Sequence, residues 1–169
     1  YTRRPDLSRV GMNANVTIND QNGWNGNGAI NVPILEDKFA VRLAGVVTQG
    51  RGSNVRDLVN TSQPRDRTEG IRASAKADPF DGLLELDATY QNVHRKTLQF
   101  DQAQSVNQLI SGATASPVTV TARSRRGVVG LARTNDQEFT TYDAQAKLHI
   151  AGQTLTYLYG KSEQHLQAF

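Results

Sequence analysis

Hydrophobic and polar residues alternate along the chain with a period of two, most clearly between residues 10 and 18. Five apolar residues are separated there by four small or polar ones: Val10, Met12, Ala14, Val16 and Ile18 against Gly11, Asn13, Asn15 and Thr17. Because successive side chains of a β-strand point to opposite faces, this pattern predicts a strand with one apolar and one amide-rich face. Helical spacing is not convincing anywhere in the sequence.

Six further segments repeat this alternation, and together the seven predict an all-β protein. The predicted strands cover residues 10–18, 24–32, 39–48, 68–77, 84–91, 141–150 and 155–159. Most of them have about nine to thirteen residues, close to the roughly 9–11 that a tilted strand needs to cross a membrane. Their polar faces carry Asn, Gln, Thr and charged residues, which a water-filled lumen permits more readily than a packed protein core does.

The connections between the predicted strands alternate in length. Short turns occupy residues 33–38, 77–82 and 151–152, and long loops occupy residues 49–66 and 96–136. The connection at 20–23 is the one exception, because it is short although its place in the alternation calls for a long loop. Outer-membrane barrels have short periplasmic turns and longer extracellular loops. The sequence therefore predicts an antiparallel up-and-down transmembrane β-barrel, with about seven strands of a larger barrel present.

Aromatic residues fall near the two ends of the predicted strands. With the short turns placed on the periplasmic side, four lie near the outer ends, namely Trp24, Tyr90, Tyr142 and Tyr159, and two near the inner ends, namely Phe39 and Phe80. Amphipathic rings prefer the interfaces between membrane and water. Two girdles separated by aliphatic positions therefore favour the barrel.

The composition limits the other possibilities. The chain has 169 residues, a net charge of +3 and no cysteine, so disulfides and thiolate metal sites are excluded. No apolar run approaches the eighteen or so residues of a spanning helix, so strands must make any membrane crossing. The chain starts at Tyr1 without an initiator Met or an apolar leader. Because seven strands are too few and odd in number for a closed bacterial barrel, we expect an internal piece of a longer protein.

Two strings in the first half of the chain resemble the early barrel of TonB-dependent outer-membrane receptors. The string from Gly28 to Gly45, GAINVPILEDKFAVRLAG, is similar to the end of strand two, the acidic turn and the Arg-Leu-Ala-Gly strand of that family. The string from Lys76 to Tyr90, with an Ala-Asp-Pro turn and the strand LELDATY, is similar to the next hairpin. The resemblance covers residues 8–95, and residues 138–160 by strand pattern only.

This resemblance implies a role for the longer protein. Such receptors have a barrel of about 22 strands, a plug domain in the lumen and a segment that contacts the TonB complex. No plug or coupling segment is recognisable, so we expect residues 1–169 to be a partial barrel with the plug domain absent. The resemblance implies an outer-membrane location and energy-coupled uptake of a scarce solute such as a ferric siderophore. The expected partners are outer-membrane lipid and lipopolysaccharide, the remaining strands, the plug and, through absent segments, TonB.

Two alternatives stay open at this point. A passive porin or small outer-membrane barrel would share the strand pattern, lack a plug and conduct by diffusion. A soluble or surface-displayed β-rich binding module would share the alternation without a membrane. Dependence on detergent would separate this module from both barrels.

Charged residues on the polar faces of the strands are candidates for lining the lumen. They are Arg42, Arg72, Lys76, Glu85, Asp87, Asp143 and Lys147. Cross-strand ion pairs are the simpler explanation of these charges. Contacts with a plug or with a solute are the alternative.

Arginines are concentrated in the two long loops. The candidates for ligand binding are Arg51, Arg56, Arg65, Arg123, Arg125 and Arg126. Guanidinium groups bind carboxylates and phosphates bidentately, so these loops suit an anionic small-molecule ligand, but they would equally contact lipopolysaccharide phosphates. The alternation from Pro117 to Ala122 predicts a hairpin that holds the last three of these arginines near its tip.

No catalytic or metal-binding group is recognisable in the sequence. His94, His149 and His165 lie in different segments, without paired carboxylates or metal-ligand spacing. The Asn- and Gly-rich segment 22–28 lacks the lysine and the strand-to-helix context of a phosphate-binding loop. We therefore expect no enzyme activity, no cofactor and no nucleic-acid partner.

Overall fold

The computed structural model describes residues 3–20, 22–58, 62–102, 104–110 and 114–168. Within them the chain forms ten strands: β1 (Gly11–Ile18), β2 (Trp24–Leu35), β3 (Phe39–Gly50), β4 (Arg56–Asp57), β5 (Arg65–Ala77), β6 (Leu84–Gln102), β7 (Ser105–Gln108), β8 (Val118–Val120), β9 (Arg126–Ile150) and β10 (Gln153–Ala168). Seven long strands form one sheet in the order β1-β2-β3-β5-β6-β9-β10, each antiparallel to the next. The predicted all-β, up-and-down arrangement is confirmed.

Three short strands lie in the two long connections. β7 and β8 form a separate two-stranded sheet, whereas β4 runs parallel to the start of β9 and pairs residues 56–57 with residues 126–127. The N–H of Leu58 donates to the carbonyl oxygen of Gly127 at 2.9 Å. In the described part of the chain the one helix is the 3-10 helix Ala122–Ser124, and no helix has the length and apolar character to cross a membrane.

The connections separate to the two ends of the sheet. The tight turns at one end, called the lower end, occupy residues 36–38, 78–83 and 151–152. The connections at the upper end occupy residues 19–23, 51–64 and 103–125. In the last turn Ala151 and Gly152 both have positive φ, 50° and 74°, which is the backbone geometry that joins two antiparallel strands through two residues. The predicted alternation of short and long connections is confirmed.

The sheet has one apolar and one polar face, because the pleat sends alternate side chains to opposite sides. One cross-strand row on the apolar face contains Met12, Ile30, Leu43, Ala73, Tyr90 and Tyr142. This face is open to the surroundings: Met12 is 82% exposed and Ile18 78%. The buried apolar side chains among the described residues are few: Ala40, Phe100 and Val120, with Pro5 and Pro64. No second layer within those residues therefore covers the apolar face.

Three strands extend beyond the ends that the hydrophobic alternation predicts. β6 has 19 residues, β9 has 25 and β10 has 16. The predicted loop at 96–136 is therefore wrong over residues 96–102 and 126–136, which belong to β6 and β9. Polar residues occupy both faces over much of these extensions, so backbone pairing continues while the alternation disappears. The hydrophobic pattern marks only the part of a strand that has an apolar face.

Candidate functional site

The apolar face changes character along one row of paired residues near the upper end. The row runs through Ile18, Trp24, Gln49, Arg67, Lys96, Asp136 and Gln167. Its first two members are apolar and the others are polar or charged. On later strands the continuous apolar run ends below this row, at Tyr90 on β6, Tyr142 on β9 and Tyr159 on β10. The limit of the apolar run is therefore sloped relative to the hydrogen-bonded rows.

Tyrosines lie where the apolar run ends, and paired charges lie above them. The ring centroids of Tyr90 and Tyr142 are 5.3 Å apart. Higher on the same face, the Nζ atom of Lys96 lies 3.0 Å from a carboxylate oxygen of Asp136, and His94 contacts the other oxygen. The hydrogen bond from Lys96, followed by that from His94, lowers the pKa of the Asp136 carboxyl group. The aromatic residues thus separate an apolar surface from a charged one.

The opposite face brings together all seven charged residues that the alternation places on one side: Arg42, Arg72, Lys76, Glu85, Asp87, Asp143 and Lys147. Their pairing is incomplete. Lys76 Nζ lies 3.9 Å from one oxygen of Glu85, and His149 Nε2 lies 3.6 Å from the other. Within the described residues, no ion pair is made by Arg42, Arg72, Asp143 or Lys147. Cross-strand pairing therefore explains only part of the charge on this face.

Several polar atoms on this face are buried without a hydrogen bond from the described residues. They are Arg72 Nε, Asp87 Oδ1 and His149 Nε2. A buried polar atom that stays unpaired costs about 1–3 kcal/mol, so water or another group is expected to satisfy each of them. Arg72, Asp87 and Asp143 line a groove of about 520 Å³ over β5, β6 and β9. The polar face thus offers both donors and acceptors to an occupant of this groove.

Residues 3–9 lie against the polar face as a segment that we call the strap. Asn31, which is 3% exposed, holds it: its side chain accepts the N–H of Asp6 at 2.9 Å and donates to the carbonyl oxygens of Asp6 and Arg9 at 2.9 and 2.6 Å. The Asp6 carboxylate accepts the N–H and the hydroxyl of Ser8, both at 2.9 Å, and these bonds lower the pKa of Asp6. Both sets of bonds fix the backbone of the strap.

The strap also contacts β6 and β9, which lie further along the sheet, on the same polar face. Nη1 of Arg4 lies 3.5 Å from Asp87, and its Nη2 donates to Gln145 at 3.2 Å. Sequence reasoning missed this segment, because side chains of distant strands hold it and it has no alternation of its own. Asn31 lies on the polar face of β2 together with the alternate residues of that strand. The alternation therefore does not show that Asn31, unlike them, holds the strap.

The structure divides the six loop arginines into two groups. The first group, which we call the upper arginine cluster, is assembled by the pairing of β4 with β9 and consists of Arg56, Arg123, Arg125 and Arg126. The N–H of Arg56 donates to the carbonyl oxygen of Arg125 at 3.0 Å. Nη1 of Arg126 donates to the carbonyl oxygen of Asp57 at 3.4 Å. Within the described residues none of the four guanidinium groups has a carboxylate partner.

The position predicted for three of these arginines is wrong. The expected hairpin exists as β7 and β8, but Arg123, Arg125 and Arg126 follow β8 at the base of the hairpin instead of lying at its tip. The 3-10 helix Ala122–Ser124 begins there, with the N–H of Ser124 donating to the carbonyl oxygen of Thr121 at 2.9 Å. This helix leads the chain into β9. The alternation at residues 117–122 marks the returning strand, and the arginines come after it.

Arg51 and Arg65 belong to a second group, which lines a pocket of about 780 Å³ at the upper end together with Arg67. We call it the arginine pocket. Asn22, Gln49 and Gln63 also line it. Arg65 and Arg67 alternate with Asp66 along β5, so both side chains project from the side of the sheet that carries the apolar face.

The acidic residue of this pocket already has a partner. Asp66, which lies between Arg65 and Arg67, accepts a hydrogen bond from Nη2 of Arg95 at 2.7 Å. This hydrogen bond raises the pKa of Arg95. By contrast, Arg51 and Arg65 make no ion pair within the described residues, while Arg67 pairs with Glu69. Two guanidinium groups of the pocket are therefore available to an anion.

The three histidines stay apart in the structure. His94 contacts Asp136, His149 Nδ1 lies 2.9 Å from the hydroxyl of Thr154, and His165 Nε2 lies 2.9 Å from the amide of Gln167. No group of three or more metal-ligating side chains that could hold an ion occurs in the described ranges.

Comparisons with known proteins identify no relative. No protein-family model, no curated protein and no solved structure matches this chain. Membership of the TonB-dependent receptors therefore stays a prediction. The geometry of the two faces and of the arginine groups carries the functional argument.

Proposed function

We propose that this chain is part of the wall of a transmembrane β-barrel in a Gram-negative outer membrane. The apolar face contacts lipid, the polar face contacts the lumen, and the tight turns of the lower end lie in the periplasm. The observation that carries this proposal is the slope of the apolar run across the sheet. In a barrel the strands are tilted, so a flat membrane boundary crosses the hydrogen-bonded rows at the tilt angle.

The slope has the size that a barrel requires. The row through Trp24 on β2 reaches β10 at Gln167, five strands later, whereas the apolar run on β10 ends eight residues lower, at Tyr159. With about 3.4 Å per residue and about 4.8 Å between strands, this shift corresponds to a tilt of roughly 50°. Strands of outer-membrane barrels are tilted by about 35–45°.

The lower limit of the apolar run slopes in the same direction. The row through Phe39 on β3 reaches β9 at Ala146, three strands later, and the run continues four residues further, to Ile150. The same spacings give a tilt of roughly 45°. A soluble sheet, whose apolar face packs against a second layer, has no reason to keep two such parallel limits.

We propose further that the complete protein is a receptor for energy-coupled uptake of a scarce anionic solute such as a ferric siderophore. The upper arginine cluster supports capture of an anion, because its guanidinium groups lie at the proposed extracellular end without carboxylate partners. The strap favours a gated receptor over a passive porin, since it occupies the polar face along which a solute would diffuse. The strings similar to TonB-dependent receptors support the energy coupling.

Cysteine labelling tests the orientation of the sheet. The chain has no native cysteine, so Met12→Cys on the apolar face and Asn15→Cys on the polar face each introduce a single thiol. In native membranes, we expect a water-soluble maleimide to label Asn15→Cys and to spare Met12→Cys. In dissolved, denatured protein both should react equally. Equal labelling in intact membranes would contradict the proposed wall.

A further inference from the structure

We propose that the arginine pocket binds a phosphate group of lipopolysaccharide, as a lipid site separate from the path of the solute. This inference rests on the membrane orientation proposed above. The pocket lies directly above the apolar run, because Gln49 is the next residue after Val47 on that face of β3, and Arg67 follows Ile71 and Glu69 on that face of β5. A lipid phosphate lies at this level of a membrane, with its acyl chains below it.

The apolar surface below the pocket continues in the direction of the acyl chains. On β3, Val47 and Leu43 follow Gln49 on the same face, and on β5 Ile71 follows Arg67 and Glu69. Leu43 and Ile71 are 56% and 60% exposed. The pocket and this surface together present cations above and aliphatic side chains beneath. An amphipathic anion matches that order, whereas a soluble anion uses only the upper half.

The pocket has the chemistry of a phosphate site. Arg51 and Arg65 have no carboxylate partner among the described residues, and Asp66 is paired with Arg95 on the opposite side of the sheet. Guanidinium groups bind phosphate oxygens bidentately. Asn22, Gln49 and Gln63, whose side chains carry amide N–H donors, line the same space of about 780 Å³. A phosphorylated sugar head group has acceptors for both kinds of donor.

The side of the sheet separates this pocket from the solute. Arg65 and Arg67 project from the lipid side of the wall, whereas a solute crosses the barrel along the polar face. The sequence placed Arg51 and Arg65 with the capture residues, because loop position alone does not distinguish the two sides of a wall. The register places Arg65 on the side of the apolar face, and Arg51 lines the same pocket.

Binding of lipid A by the complete, detergent-solubilised protein tests the proposal. The variant Arg51→Gln/Arg65→Gln should bind bisphosphorylated lipid A about tenfold or more weakly, as expected for the loss of charge-assisted hydrogen bonds. The matched control Arg123→Gln/Arg125→Gln removes the same charge at the same end of the sheet and should change this affinity by less than about threefold. The variant Arg51→Lys/Arg65→Lys should keep part of the affinity, because lysine retains the charge but not the bidentate geometry. Equal losses in the two glutamine variants would overturn the site.

The source of the phosphate is tested separately. Dephosphorylated lipid A should bind the wild-type protein as weakly as bisphosphorylated lipid A binds the Arg51→Gln/Arg65→Gln variant, and inorganic phosphate in millimolar amounts should not displace the phosphorylated form. Efficient displacement by inorganic phosphate would overturn the lipid assignment in favour of a soluble anion. If the Arg51→Gln/Arg65→Gln variant keeps the wild-type lipid affinity and the protein passes the cysteine-labelling test, the phosphate site is refuted and the proposed wall is not. Failure of the labelling test would remove the proposed wall and the pocket with it.

Discussion

The lower and upper parts of the same long strands differ in every property except their backbone pairing. Below Tyr90 and Tyr142 the sheet has an apolar and a polar face, and above these tyrosines it carries charges on both. The ladder between β6 and β9 runs through this change without a break as far as Gln99. Backbone hydrogen bonds therefore set how long a strand is, while the surroundings of each part set which side chains it can carry.

The charges of the two parts also differ in how they are compensated. Above the tyrosines, Lys96 pairs with Asp136 and Arg95 with Asp66, at 3.0 and 2.7 Å. On the polar face lower down, Arg72 and Asp143 make no ion pair within the described residues. These strand charges of the upper part thus have ion-pair partners, whereas Arg72 and Asp143 of the lower part are open to an occupant.

Arginine scanning across the boundary should give the largest effect. A charge at a lipid-facing midplane position costs about 2–4 kcal/mol, so Ala14→Arg on the apolar face of β1 should strongly reduce assembled protein in the outer membrane. Its neighbour Asn15→Arg, on the polar face, should assemble almost normally. His165 lies on the same face as Ala14 but above the tyrosines, outside the apolar run, so His165→Arg should also be tolerated. Quantitative immunoblots of membrane fractions measure the assembly of all three variants. Equal assembly would contradict a lipid-facing apolar run that ends at the tyrosines.

Solute capture should depend on the upper arginine cluster alone. Replacing Arg123, Arg125 and Arg126 with Gln in the complete protein should weaken binding of an anionic solute by about tenfold, since charge-assisted hydrogen bonds are lost. The variant Arg51→Gln/Arg65→Gln is the control and should bind the solute normally. Whole-cell binding of labelled ferric chelate gives the readout, with surface protease accessibility to verify exposure of the loop. Normal solute affinity in the triple variant would leave the cluster without a capture role.

The smallest expected effect concerns the titration of Asp136 in the upper part. Lys96 and His94 lower the pKa of Asp136 from its ordinary value of 3.8. The ionised carboxylate therefore stabilises the folded extension fully at pH values above 3.8, and this contribution is lost as the pH falls through the lower pKa of the folded state. NMR titration of the carboxyl carbon should give a midpoint below 3.8 in the wild-type protein. Lys96→Gln should raise the midpoint more than His94→Gln, and a larger shift in the histidine variant would reverse the assigned causes.

The part of the fold with an apolar face could be predicted from the sequence. The strands at residues 10–18, 24–32 and 39–48 were found because burial or lipid contact on one side imposes a period of two. The shared face of Arg42, Arg72 and Lys147 follows from the same period and the register. The extensions of β6 and β9 could not be predicted, because water on both sides imposes no period on their side chains.

The long-range contacts were also beyond the sequence. The strap depends on Asn31 meeting the backbone of residues 6 and 9, and a pattern along one chain contains no such distance. The upper arginine cluster depends on β4 crossing to β9, so two loops that are far apart in sequence share one site. The position of Arg65 on the side of the apolar face became visible only through the register of β5 with β6.

Along the row from Ile18 to Gln167, local opening of the sheet is expected to become easier toward β10. At Trp24 the row has a strand on each side and an apolar face, whereas at Gln167 it ends on β10, the last strand of the described sheet, where both faces are polar. Local opening costs least where few apolar contacts hold the backbone. The amide hydrogen of Gln167 on β10 should therefore exchange with solvent faster than that of Trp24 on β2, although both residues lie near an end of their ladders.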